Sequence, residues 1–374
     1  MGDSRVIAFT GGGTGGHIYP GLAVIESLRK DFDGRIIWIG SKKESDRKTV
    51  EAAGVEYFAI PSGKLRRDFS LKNLADAFRV LAGYFAARRI LAREKPLLLF
   101  SKGGYVSVPP CRAAASLGIP YFTHESDLTM GLATRLNARK ADRVLVSYEE
   151  TKAGMGPALA SRTVVVGNPI RAAIRSGDAD KGREILGAEH GLPIVLFIGG
   201  SQGARQVNDL VLAVLPELTK LALVVHQTGE AANASQATDG AAGVAAVAAG
   251  RYRPYAYIRD ELPHILAAAD LVVGRAGAAS LWEAAALAKP MVLIPLAGAG
   301  TRGDQVDNAR LFEAAGAATV LVGDDATPYN LVKAIGYYLG DAEARRAAGL
   351  AAQKLAGSDA AGLAARLILE RTGG

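Results

Sequence analysis

Phe9-Thr10-Gly11-Gly12-Gly13-Thr14-Gly15-Gly16-His17-Ile18-Tyr19-Pro20 decides how the rest of the chain is read. The apolar run at 6–9 before it has the length of a buried strand, and the apolar residues at 21–28 after it recur at helical spacing. The order is therefore strand, glycine loop, helix. Glycines lack a Cβ, so the loop can turn with positive φ and its amides can approach a ligand closely; the helix start adds a partial positive charge. Such a loop suits a phosphate. Gly11, Gly13 and Gly16 also match the dinucleotide fingerprint, which needs an acid at the end of the second strand. The run at 35–39 ends instead in Gly40-Ser41-Lys42-Lys43, leaving only NADP an opening through the two lysines. A turn that serves the fold alone is the third reading, and His17, a titratable imidazole beside the anion loop, argues against it.

A chain of 374 residues has room for about two domains, each with its own core. Hydrophobic residues at 49% and charged residues at 22% are those of a globular protein. The net charge of +7 points to an anionic partner, whether phosphate, nucleic acid or membrane. Cys111 is the single cysteine, so no internal disulfide forms, and its apolar setting predicts a buried thiol in a reducing compartment. The first strand begins within a few residues of Met1, and no apolar run approaches the ~20 residues that span a bilayer. A soluble or peripherally attached protein is expected.

Strand-length apolar runs at 35–39, 55–60, 97–100, 120–123 and 143–146 alternate with helical patterns, which predicts a parallel sheet covered on both faces. The pattern pauses at 164–171, with the hinge placed near Asn168 and Pro169. It restarts at 194–198, which leads into Gly199-Gly200-Ser201-Gln202-Gly203-Ala204, and continues with strands at 221–225, 256–258, 271–273, 291–295 and 319–322. The alanine-rich stretch 231–249 reads as a pliable surface connection, and the tail after Ala342 as helical throughout. Two such halves with glycine loops at their strand ends are expected to face a cleft.

Gly103-Gly104-Tyr105-Val106-Ser107, His124-Glu125-Ser126-Asp127, Arg275-Ala276-Gly277-Ala278-Ala279-Ser280-Leu281-Trp282-Glu283 and Arg302-Gly303-Asp304-Gln305 with Asn308 also sit at strand ends. Together with the two glycine loops, in this order and over nearly the whole chain, they closely resemble the MurG family. That family moves N-acetylglucosamine from UDP-N-acetylglucosamine to the undecaprenyl-pyrophosphoryl muramyl-pentapeptide, converting lipid I to lipid II in peptidoglycan synthesis. The resemblance implies an α/β fold of two Rossmann-like domains, the glycosyltransferase-B fold, and an inverting transfer. It places an acceptor-binding, membrane-facing domain at 1–167, a UDP-sugar domain at 168–357, and at 358–374 a C-terminal helix that packs back on the first.

Residue by residue, the resemblance assigns Ile258 to the uracil, Glu283 to the ribose hydroxyls, and Arg171, Ser201, Gln305 and Ala278, Ala279 and Ser280 to other donor contacts. Gly13, Thr14, Gly15, Gly16 and His17, with Gly103, Gly104 and Tyr105, fall to the acceptor, and Thr14, Gly15 and Gly16 are also placed beside the donor. An imidazole titrating near neutrality suits a general base, so His17 is a candidate to take the proton from the acceptor hydroxyl; orienting the acceptor diphosphate is its other reading. Glu125 and Asp127 are rival bases. Many relatives carry His-Glu-Gln-Asn where this chain has His124-Glu125-Ser126-Asp127, and Asn where it has Thr134. Ser280 and Glu283 also fit a capping box, and Arg275 either neutralises phosphate or braces its loop.

No cluster with metal-ligand spacing and no Asp-x-Asp near the diphosphate loop is present, so neither metal nor cofactor is expected. Helix amides and arginines suffice in principle to stabilise departing UDP. Between 64 and 95, nine basic residues stand against three acidic ones, and Leu71, Leu74, Phe78, Leu81 and Phe85 form one helical stripe while Val80, Tyr84, Ala87 and Leu91 form another. One stripe buried and one exposed amid cations predicts a surface that rests on anionic lipid. The resemblance implies the cytoplasmic face of the cell membrane as its place, other cell-wall enzymes as further partners, and no nucleic acid. A UDP-sugar 2-epimerase of the same architecture and a non-catalytic cell-wall scaffold are the alternatives.

Overall fold

The apolar run before the first glycine loop becomes β1 (Val6–Thr10), the central strand of an all-parallel sheet. The computed structural model describes residues 5–63, 71–199, 204–229, 241–298, 301–357 and 359–373, with the side chains of 71–75 and 241–242 outside that description. The first sheet adds β2 (Arg35–Gly40), β3 (Glu56–Ala59), β4 (Leu98–Ser101), β5 (Tyr121–Glu125), β6 (Arg143–Val146) and β7 (Thr163–Val165), in the order β3-β2-β1-β4-β5-β6-β7. Successive residues of β1 feed opposite cores. Ile7 and Phe9 pack with Trp38, Phe100 and Phe122, while Val6 and Ala8 pack with Ile37, Ile39, Leu91 and Cys111. A sheet buried on both faces needs no polar alternation, which is why the strands read as continuous apolar runs.

The second sheet has β8 (Ile194–Ile198), β9 (Leu223–Gln227), β10 (Tyr252–Tyr255), β11 (Leu271–Gly274), β12 (Met291–Leu293) and β13 (Ala318–Val320), in the order β10-β9-β8-β11-β12-β13. Its ladders are parallel as well. The α/β class and parallel sheets expected from the sequence are thus present in both halves. Met1–Arg171 with Ser358–Gly374 form one compact unit, and Ala172–Gly357 the other.

The last helix, Ala360–Thr372, belongs to the first unit. It lies against the helix Tyr19–Leu28, and Ala364, Ala365 and Ile368 enter the same core as Phe9 and Trp38. Asp359 caps it by accepting the Gly362 amide at 2.9 Å, and Arg371 bonds Asp142 at 2.7 Å. Burial of Ile368 alone contributes about 1.5–3 kcal/mol. The helical tail expected after Ala342 is interrupted, because Gly357 at φ 59° ends the helix Ala342–Ala356.

Two strands differ from the sequence reading. The apolar Ala256-Tyr257-Ile258 is a loop, and β10 lies just upstream, although it contains Arg253 and Pro254. Proline survives there because β10 is an edge strand. The pause after 163 includes β7, the opposite kind of miss, since a three-residue edge strand leaves little periodicity to read. Within 231–249, residues 241–248 form a helix, and 231–240 lie outside the described residues.

The helix Leu71–Glu94 resolves its two stripes. Ala87 and Leu91 are fully buried, whereas Phe78, Leu81 and Phe85 are 65%, 52% and 61% exposed. Lys64, Arg66 and Arg67 lie outside the described residues, as do the side chains of Leu71, Lys72 and Leu74. Among the described residues no helix is long and apolar enough to cross a membrane.

Candidate active site

In each unit the strand order reverses beside the central strand, between β1 and β4 in the first and between β8 and β11 in the second. Open α/β sheets place ligands at such switch points, outside the carboxyl ends of the strands. In the first unit the loops leaving β1 and β4 interlock there. Lys102 donates its amide to Thr10 at 2.9 Å, drawing the two strand ends together. A Cβ on Gly104 would stand 2.8 Å from His17 Cδ2, and one on Gly13 would stand 2.8 Å from the Tyr105 ring. Each loop therefore has a glycine under the other loop's ring. Both glycines have positive φ, 88° at Gly13 and 74° at Gly104, so conformation and space both require the missing side chain.

The structure brings Gly13, His17, Gly104 and Tyr105 together, with Gly103 (φ 79°) beside the His124 carbonyl. Gly15 and Gly16 lie with His17 in a single 3₁₀ turn, Gly15–His17, preceded by exposed Thr14. One amide of the expected anion loop has a partner within the chain. The Gly13 amide donates to the buried carboxylate of Asp46 at 2.7 Å, so it is already occupied by the chain itself. Arg171, assigned to the donor, holds its guanidinium 4.8 Å over the Tyr19 ring, within the first unit.

At the end of β5 the two rival carboxylates differ. Glu125 is 6% exposed and accepts the amides of Ser126 at 2.9 Å, Asp127 at 3.2 Å and Gly131 at 2.9 Å. Its oxygens thus shape the loop, whereas the base role expected of it from the sequence draws on the same atoms. Asp127 is half-buried. His124 is fully buried, and its Nε2 must donate to the Gly167 carbonyl at 2.9 Å, leaving Nδ1 as the bare nitrogen. Burial, then the nearby Lys102 cation, holds this imidazole well below its usual range, so it stays neutral. Lys102 is itself buried, with its ammonium on Ser126 Oγ. Burial pulls it down to about 8 against the opposing pull of Glu125 and Asp127. Cys111 is buried and pushed up to about 12 by burial, as a structural thiol should be.

In the second unit the loop after β8 lies largely outside the described residues, Ser201 included. After β11, Gly277 caps the helix Ala278–Ala286, so Ala278, Ala279 and Ser280 form its first turn at the positive end of its dipole. Ser280 is consequently inside the helix, not at its cap, which removes the capping-box reading of Glu283. Glu283 is half-buried one turn further on. Arg275 braces its loop, donating to Gln206 at 3.0 Å and to the Ile294 carbonyl at 2.9 Å. Gln305 accepts the Leu296 amide at 3.0 Å, and Asn308 donates to Ala276 at 3.2 Å, tying the helix Asp304–Ala314 to the loops after β12 and β11.

Ile258 follows β10, and its amide donates to Gln227 Oε1 at 3.0 Å. Behind it, His226 bonds Tyr252 OH at 2.9 Å and Asn208 Oδ1 at 3.0 Å, while Asn208 donates to Thr228 at 2.9 Å. His226 is therefore structural. Among the described residues no group of three or more His, Cys, Asp and Glu could hold a metal ion. Sequence reasoning missed Asp46, Lys102 and Gln227. Asp46 lies only six residues beyond β2, and a search for an acid there that continued past Lys43 reaches it; nothing in the pattern marks Lys102 or Gln227 as buried.

Comparison with known proteins shows the family and the fold. The chain is 46% identical over 335 residues to the UDP-N-acetylglucosamine--N-acetylmuramyl-(pentapeptide) pyrophosphoryl-undecaprenol N-acetylglucosamine transferase of Treponema denticola, covering 87% of this chain and 85% of that one. The crystal structure of Acinetobacter baumannii MurG shares the fold, with a TM-score of 0.72 at 22% identity over 98% of this chain and 99% of that one. A UDP-N-acetylglucosamine 2-epimerase also shares it, with a TM-score of 0.67 at 13% identity over 99% of this chain and 95% of that one. Residues 7–146 match the glycosyltransferase family 28 N-terminal domain and 194–363 its C-terminal domain, and the chain belongs to glycosyltransferase family 28.

Proposed function

We propose that this protein transfers N-acetylglucosamine from UDP-N-acetylglucosamine to undecaprenyl-pyrophosphoryl N-acetylmuramyl-pentapeptide, with inversion at the transferred carbon. The observation that carries this is the 46% identity to the Treponema denticola transferase over 87% of the chain. The second unit is the donor half. The Ala278–Ala286 helix start takes the diphosphate, Glu283 the ribose and the Ile258 backbone the uracil, and the loss of the capping-box alternative supports Glu283 in that role. The first unit is the acceptor half, where the interlocked loops present His17 and Tyr105.

In the transfer the acceptor hydroxyl oxygen bonds to the sugar's anomeric carbon as the bond from that carbon to the UDP oxygen breaks. The hydroxyl proton passes to a base, and UDP leaves with the electron pair. His17 is the base this reading favours, with half-buried Asp127 the rival, because the oxygens of Glu125 are engaged by backbone amides. Phe78, Leu81 and Phe85, exposed on one face with Arg88 and Arg89 a turn beyond, rest on anionic lipid at the cytoplasmic face of the membrane, where the acceptor is anchored.

Incubation with radiolabelled UDP-N-acetylglucosamine and a short-chain lipid acceptor tests the proposal. Label appears in the lipid if it is right. Conversion of the nucleotide sugar without acceptor would support an epimerase instead, a reading whose present support is the shared fold alone.

A further inference from the structure

In a dinucleotide site the acid beyond the second strand faces a ribose. Here it faces the chain's own glycine loop. Asp46 is 4% exposed, and its Oδ2 accepts both the Gly13 amide at 2.7 Å and the Ser41 hydroxyl at 2.7 Å. Lys43 Nζ donates to the Gly13 carbonyl at 2.9 Å, so the segment after β2 holds both polar groups of Gly13. Ser41 is fixed in turn: its hydroxyl accepts the Lys43 amide at 3.1 Å, and its carbonyl accepts Tyr57 OH at 2.7 Å. A Cβ on Gly12 would stand 2.8 Å from Asp46 Oδ2, so carboxylate and loop are in direct contact.

The Tyr105 ring stands where a side chain on Gly13 would, 2.8 Å from that Cβ position. From Gly13 the chain passes through Thr14 into the turn Gly15–His17, where the His17 amide bonds back to Thr14 at 3.1 Å. The loop is thus gripped at Gly13 by the β2 side and by Tyr105, and its far end carries the imidazole that fits over Gly104. We infer that Asp46 is a positioning residue of the transfer, fixing Gly13 so that His17 and Tyr105 stand where the acceptor meets them. The inference rests on reading the first unit as the acceptor half. It also gives the glycine loop a division of labour. A carboxylate bonded to Gly13 repels a phosphate there, so the acceptor's anion is met beyond Gly13, on the Thr14 to His17 side.

The test compares the wild type with Asp46→Ala and Asp46→Asn in the full chain. It measures turnover and KM for both substrates, UDP affinity by calorimetry, melting temperature, and the His17 imidazole resonance, assigned with His17→Gln. Asp46→Ala should lower kcat about 10–100-fold, as loss of placement by roughly an ångström does, with UDP affinity within about twofold of wild type and the His17 resonance displaced. Asp46→Asn, whose carbonyl oxygen can accept both bonds, should recover most of the turnover and the wild-type resonance. An Asp46→Ala protein with wild-type kcat and an unmoved His17 resonance would overturn the inference. So would equal losses of turnover, UDP binding and melting temperature, which mark a general loss of fold. If the wild type binds UDP but transfers no sugar, the transferase reading fails by itself, and the resonance still decides whether Asp46 sets the imidazole.

Discussion

The imidazole of His17 fills the space that a side chain on Gly104 would need, with Cδ2 only 2.8 Å from where a Cβ would stand. Gly104→Ala therefore faces both a clash and a φ of 74° that alanine resists. Turnover should fall at least roughly tenfold as the ring is displaced, while UDP affinity is kept because the donor half is untouched. Steady-state kinetics beside titration calorimetry separates the two, and an unimpaired Gly104→Ala would mean that the ring's seat does not matter.

His17→Ala should lower kcat by roughly 10²–10⁴-fold if the imidazole is the base. Asp127→Asn should cost far less. If the two effects are reversed, the proton goes to Asp127; if His17→Ala changes only the acceptor KM, the imidazole orients the acceptor and does no more.

If Glu283 holds the ribose as proposed, Glu283→Ala removes charge-assisted bonds each worth about 1.5–3 kcal/mol and weakens UDP binding accordingly. Since Ser280 is not the helix cap, the helix Ala278–Ala286 should survive the change and the melting temperature should hold. Unchanged UDP affinity by calorimetry would remove Glu283 from the donor site.

The exposed stripe and its cations can be tested separately. Phe78→Ser/Phe85→Ser should weaken binding to vesicles at any salt concentration, whereas Arg88→Glu/Arg89→Glu should weaken it at low salt and on anionic vesicles only, by about 1 kcal/mol per cation removed. Co-sedimentation measures both. Wild-type binding by all variants would show that this helix does not carry the attachment.

His226 makes the second unit sensitive to acid. Burial holds its imidazole at about 4 against an ordinary 6.5, so between those values the unfolded chain takes up a proton that the folded chain refuses. The stability that comes from a neutral His226 is complete above about pH 6.5 and is lost as pH falls toward about 4, to a total of roughly 3 kcal/mol. Urea unfolding followed by Trp282, in a Trp38→Phe background, should show wild type losing more stability between pH 7 and pH 4 than His226→Gln does. Equal losses would mean that the histidine titrates normally in the fold.

The parallel sheets were legible because strands buried on both faces leave unbroken apolar runs, as at Ile194–Ile198 and Arg143–Val146. Edges were not, since β10 tolerates Pro254 and β7 is only three residues long. Glycine loops could be found from composition, and the resemblance supplied residues such as Glu283 and Gln305. What those loops rest on could not be read. The bond from Gly13 to Asp46 joins positions 33 residues apart, and that from Ile258 to Gln227 joins positions 31 apart, distances over which no local pattern carries information. Lys102 makes the same point, because a lysine next to a glycine pair reads as solvated until the fold buries it.

The helix Ala360–Thr372 completes a core begun at Ile7, so the unit whose synthesis starts first waits for a segment made after the whole of the other unit. Until 364–368 emerge, Phe9, Trp38 and Val24 lack Ala364, Ala365 and Ile368, while the described core of the second unit, from Val195 to Ala348, draws on no residue beyond Gly357. A growing chain would then hold a finished second unit before the first unit can close, with Phe9 and Trp38 exposed in the interval.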